Sequence, residues 1–150
     1  MSDIGLFPIN NCIDLDVIDD DLAPDDGLET AVIISIFSDR RITDEDLPDL
    51  ETNKRGWWAD AVSAIPNDQI GSRLWLLERE KRTTETLRRS EEYIDEGLAW
   101  MLEDGVAESI EVSSSYDSFG QLISLVEILR PAQSVQRYQV LWEKQEVRRA

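Results

Sequence analysis

The chain has 150 residues, of which 31% are charged and 41% apolar, with five tryptophans and no histidine; this excludes an unfolded tail and leaves one domain able to bury a core without disulfides or metal. Its 15 Lys and Arg stand against 32 Asp and Glu, a net charge of −17, which excludes the basic face that nucleic-acid binding requires. The missing histidine removes the usual acid–base side chain at neutral pH and the commonest nitrogen ligand of zinc and iron, while the lone Cys12 fits a reducing, cytoplasmic setting.

In chain order, "MSDIGLFPINNC" lacks the basic start and apolar core of a signal peptide, and no apolar run reaches the ~20 residues of a membrane span. Residues 12–18 alternate Ile13, Leu15 and Val17 with Asp14 and Asp16, which predicts a strand with one face buried. "DDDLAPDDG" reads as a loop. Asp26 and Glu29 are spaced as a capping box, so "GLETAVIISIFS" is expected to be a helix buried on several sides, by its own domain or by a partner.

Residues 39–71, with Pro48, Gly56, Pro66 and Gly71, form a segment far longer than the ~4–6 residues of an ordinary connection. Its "AVSAI" and the adjacent Trp57 and Trp58 argue for a loop folded onto the domain or a neighbour. A helix is expected from Ser72 through "SRLWLLEREK", and a second from an N-cap at Thr83 to Glu103, with Leu87, Ile94, Leu98 and Met101 on one face and Gly105 as the stop. Beyond it the period changes to that of strands at 106–116, 121–130 and 135–143. The fold class is therefore α+β: a strand, a buried helix, a long loop, two helices and a three-stranded antiparallel meander, with 1–11 and 144–150 expected to fray or, for the latter, to extend the last strand.

Three constellations bear on function. Asp14, Asp16, Asp19, Asp20, Asp21, Asp25 and Asp26 do not match a calcium loop, because Ile18 stands at a ligand position and the required Gly is absent; a solvated acidic face is the plainer reading. No Ser or Cys nucleophile has a visible base, and no phosphate loop or metal motif occurs, so neither an enzyme nor a cofactor is expected. Trp75, Trp100 and Trp142 lie in periodic elements and are expected in the core. Trp57 and Trp58, being adjacent, should point to opposite sides, one buried and one outward, with interface and core equally open for the pair. Arg40 and Arg41 suit the C-terminus of the buried helix, or a carboxylate on another subunit.

"AVIISIFSDRR", "LPD", "RGWWAD" and "GSRLWLLEREK", in that order and followed by an amphipathic helix, resemble the baseplate protein family of Mu-like contractile-tailed phages over roughly residues 12–115. Ala59 stands where that family has Gly. The family is similar to the small wedge component of the T-even baseplate, an α+β protein. The resemblance implies a structural subunit of the virion tail, assembled in the host cytoplasm in multiple copies. Its partners would be wedge proteins and sheath or tube subunits, with no membrane and no nucleic acid, and it would offer the sheath a platform.

Asp39-x-Arg41 keeps the acid and Arg of a Glu-Pro-Arg triplet in the distant relatives, with Arg40 in place of Pro. The implied partner-binding residues are Asp39, Arg40, Arg41, Arg55, Trp57, Trp58, Asp60 and Arg73. Nothing in the sequence singles out a carboxylate pair for the lysozyme-like activity once attached to the distant family. A regulatory anti-adaptor of the same fold is the alternative.

Overall fold

The structure, a computed structural model, describes residues 3–9, 12–25, 27–48, 52–64 and 69–150. Its N-terminal part consists of short ribbons: β1 (Asp3–Ile4), β2 (Leu6–Ile9), β3 (Cys12–Leu15), β4 (Val17–Ile18), β5 (Asp21–Leu22) and β6 (Pro24–Asp25). These pair antiparallel as β1 with β6, β2 with β3 and β4 with β5. The expected strand over 12–18 is thus broken at Asp16, and its apolar face is not buried: Ile13, Leu15 and Val17 are exposed. Asp14, Asp16 and Asp21 each accept the backbone N–H of the following residue, and Asp19 and Asp20 take positive φ of 52° and 65° in the turn between β4 and β5. Short acidic side chains tolerate that conformation and satisfy the backbone locally, so alternation here encodes narrow hairpins rather than a half-buried strand.

Helix α1 (Glu29–Phe37) follows. The expected capping residue Asp26 lies outside the described residues. Leu28 precedes the helix without a side-chain cap of its own; instead the Tyr138 hydroxyl, from the far end of the chain, accepts the Leu28 N–H at 3.0 Å. Val32, Ile33 and Ile36 are buried by the protein's own core, which decides between domain and partner as their cover.

The expected helix from Ser72 is only a tight 3₁₀ turn, Leu74–Leu77. Its bonds run from Leu76 N–H to Arg73 and from Glu78 N–H to Trp75 carbonyls. This winding brings Leu74, Trp75 and Leu77 all inward, where a longer α-helix would have required a wider apolar stripe. Helix α2 (Thr84–Glu103) has the expected N-cap, the Thr83 side chain accepting the Thr86 N–H at 3.2 Å, and Gly105 ends it with φ 69°.

The C-terminal sheet has four strands rather than three: β7 (Ser109–Tyr116), β8 (Leu122–Leu129), β9 (Gln136–Leu141) and β10 (Glu146–Arg149), antiparallel in the order β10-β9-β8-β7. The tail does not extend β9. It turns back through Trp142–Lys144 and Gln145, at φ 48°, to pair with β9. Leu122, Val126, Ile128, Tyr138, Val140 and Val147 meet Ile94, Leu98 and Met101 of α2 and the buried face of α1. Each such aliphatic side chain contributes ~1.5–3 kcal/mol on full burial.

A polar seam runs through this contact: Ser90 donates to Ser114 at 2.9 Å, Ser114 and Ser124 are 2.7 Å apart, and Glu91 accepts the Ser114 N–H at 2.7 Å. Small, mutually satisfied side chains let α2 lie close to the sheet. Gly97 does the same on the α1 side, where a Cβ would come within 2.8 Å of the Ser35 carbonyl oxygen.

Candidate functional site

The chain leaves the body at Ser38 and re-enters it at Ser72. The gate between them is closed by backbone bonds, Ser72 N–H to Ser38 carbonyl at 3.0 Å and Arg40 N–H to Ser72 carbonyl at 2.9 Å. Ser72 is buried and donates its hydroxyl to the Ile36 carbonyl at 2.6 Å. Gly71 takes φ 95°, and a Cβ there would collide with the Ser38 carbonyl oxygen. The long segment is therefore an excursion with a tight neck.

Inside it, Ile42 N–H meets the Lys54 carbonyl at 3.2 Å, drawing the two limbs together. Arg55 then fastens the returning limb to the body. Its guanidinium lies 2.9 Å from Asp39, 3.1 Å from Glu78 and 4.5 Å from the centre of the Trp75 ring. Burial alone would lower the Arg55 pKa, but its hydrogen bonds and charge pairing with Asp39 and Glu78 raise it. Trp75, nearly fully buried, donates its indole N–H to the Arg40 carbonyl at 3.0 Å. Arg55 has φ 50° and Gly56 φ 102°, and a Cβ on Gly56 would sit 2.5 Å from that of Arg41. This left-handed pair reverses the chain, so the residues after it reach solvent beside α1 and α2.

Those residues are the tryptophans. Trp57 is 49% exposed and Trp58 75%, in and beside a short 3₁₀ turn, Trp58–Val62. The expectation of one buried and one outward ring fails: both reach solvent, because the turn places the rings on one side, 5.8 Å apart and tilted by 54°. Trp57 borders a groove of about 680 Å³ that includes Ile34, Asp60, Val62, Ile70, Trp100 and Asp104. Trp100, expected in the core, is partly exposed here and donates to the Ser35 hydroxyl at 2.9 Å. Asp60 accepts the Ile70 N–H at 3.4 Å through Oδ1, while Oδ2 is buried without a hydrogen-bond partner.

The eight residues expected at an interface thus divide by position. Asp39, Arg40, Arg55 and Arg73 are engaged within the chain: Arg40 with Glu96 at 3.6 Å, and Arg73 with Glu96 at 2.7 Å, Asp46 at 3.6 Å and the Tyr93 ring at 4.7 Å. Arg41 is exposed and donates to the Arg55 carbonyl at 3.3 Å. Trp57 and Trp58 are exposed on the turn, while the Asp60 carboxylate turns inward to the Ile70 N–H. Sequence reasoning missed Ile34, Val62 and Trp100. The only available signal was Trp100 lying off the main stripe of α2, where it meets Ser35 of α1.

Among the described residues no group of three or more acids is placed to hold a metal ion; Asp26 and the Asp25 side chain lie outside them. Among the described residues no helix is long and apolar enough to cross a membrane.

The family described as Phage protein GP46 matches residues 28–135, a stretch that includes the neck, the Arg55 anchor and the groove. The chain is similar to "Baseplate protein gp46" of Escherichia phage Mu, 39% identical over 140 residues covering 93% of this chain and 94% of that protein. It is also similar to "Mu-like prophage FluMu protein gp46" of Haemophilus influenzae, 35% identical over 139 residues covering 91% of this chain and 93% of that one.

Proposed function

The chain belongs to the GP46 family of phage proteins, and on that premise we propose that it is a non-enzymatic structural subunit of a phage or prophage contractile-tail baseplate. In this reading it binds wedge core proteins and gives the sheath a platform in the virion tail. The observation that carries the reading is the pair Trp57–Trp58, held out on a short turn that the Arg55 anchor fixes to the body. Large rings exposed side by side offer apolar area that a partner can cover, and residues of this type dominate binding energy when they sit on a preorganised surface. The Mu relative's name places that protein in a baseplate.

Changing Trp57, Trp58 or Arg41 to Ala is expected to leave a folded subunit, by circular dichroism and sedimentation, and to stop completion of tails in the phage or prophage that carries it. Normal tails from a Trp57→Ala/Trp58→Ala double variant would overturn the reading.

A further inference from the structure

The groove beside Trp57 has a one-sided electrostatic character. Among the described residues its lining includes two acids, Asp60 and Asp104, and no Lys or Arg. It also receives the C-terminal end of α2, whose last turn contains no basic residue and is followed directly by Asp104. A helix C-terminus carries roughly half a negative charge, normally offset by a cation within the last turn. Here it is reinforced by Glu103 and Asp104 instead. Of the two lining acids, Asp60 keeps its Oδ2 buried without a hydrogen-bond partner. Around these acids the larger side chains are apolar, Ile34, Trp57, Ile70 and Trp100, with Val62 73% exposed, and Ser35, Ser63 and Gln69 are the uncharged polar members of the lining.

An apolar channel with an uncompensated negative end fits one kind of occupant. We propose that the groove seats an apolar segment of a neighbouring tail protein that carries a lysine or arginine, its cation resting against Asp104 and the C-terminus of α2. The apolar part of the segment covers Trp57, Trp100 and Val62, and the cation supplies the missing charge. A second copy of this chain fits less well, since two subunits of net charge −17 repel. The proposal rests on the baseplate reading and names the partner's chemistry at this surface.

The test is site-specific photo-crosslinking in assembled tails, using full-length subunits with benzoylphenylalanine at Val62 or, as a control, at Phe119, an 81% exposed residue of the β7–β8 turn. Val62 is expected to crosslink to one segment of another tail protein, and mapping of the joined peptide should find apolar residues with a Lys or Arg beside them. Asp104→Lys places a base at the end of α2, so it should raise the subunit's melting temperature while abolishing the Val62 crosslink. Reversal of the mapped base to Asp should restore it.

Subunits present in tails but uncrosslinked at Val62 would overturn the groove proposal and leave the baseplate reading standing. So would a partner segment without a base, or a crosslink to a second copy of the chain. Absence of the subunit from purified tails would overturn both.

Discussion

Trp75 and Trp58 belong to two regions that treat the same side chain in opposite ways. Just past the neck of the excursion Trp75 is 5% exposed, satisfies its indole N–H on Arg40 and supports the Arg55 guanidinium on its face. In the turn beyond Gly56, Trp58 is 75% exposed. The first arrangement holds the chain's shape; the second leaves apolar area that folding itself does not use. The comparison teaches that ring area used in folding and ring area left to solvent are separated within a short span of sequence, with Arg55 and Gly56 as the dividing line.

Four measurements would break or sharpen that division. The largest effect belongs to Trp75→Ala, expected to destabilise the subunit by ~3–5 kcal/mol in chemical denaturation, as for other large buried aromatics. Trp58→Ala should stay within ~0.5 kcal/mol of wild type. Similar losses for both would erase the distinction.

Next comes Gly71→Ala at the neck. It combines a φ of 95° with a collision against the Ser38 carbonyl, and a loss of ~2–4 kcal/mol is expected from strain of that kind. The control is Gly105→Ala, where φ is 69° but no heavy atom lies within 4 Å of the added Cβ; only the ~1 kcal/mol cost of a left-handed non-glycine residue is expected.

Arg55→Ala should cost about 1 kcal/mol, because its ion pairs are partly exposed and its position over Trp75 adds only a modest attraction. Part of this loss should disappear at high salt. Hydrogen exchange should show faster opening between Ile42 and Lys54 while the sheet amides stay protected.

The smallest effect concerns Asp95 in α2. Although the residue is exposed, partial desolvation of its carboxyl, and then the charge of Glu91, push it above the ordinary value of 3.8. A carboxyl raised on folding contributes stability below its unfolded pKa and loses it as pH climbs through the folded value. Asp95→Asn is therefore expected to raise the melting temperature slightly at pH 7, with the gain vanishing toward pH 4. An equal gain at both values would assign the effect to something other than this charge.

Much of the body was legible in the residues. The stripe Leu87, Ile94, Leu98 and Met101 with Thr83 before it and Gly105 after it specifies α2, because a helix's period and ends are local properties. The run 121–130, apolar on both faces and bounded by turn residues, specifies a strand, and in β8 every second side chain from Leu122 to Ile128 faces the core. The N-terminal ribbon misled, since alternation states that two faces differ but not that either is covered. The turn at Leu74–Leu77 misled because helix formers are compatible with one 3₁₀ turn as well as with three α turns.

Composition, charge, the order of the principal elements and the presence of a Trp-bearing excursion were thus determined by the sequence itself, through interactions that reach only a few residues along the chain. Tertiary structure decided that Tyr138 caps α1, that the tail returns as a fourth strand, and that Arg55 turns inward to Asp39, Glu78 and Trp75 while Trp57 and Trp58 turn out. It also brought Trp57, Asp60, Trp100 and Asp104 to one groove. Each of these depends on groups distant in sequence meeting in space, and the positive backbone angles at Arg55 and Gly56 that direct the tryptophans outward have no periodic signature to read.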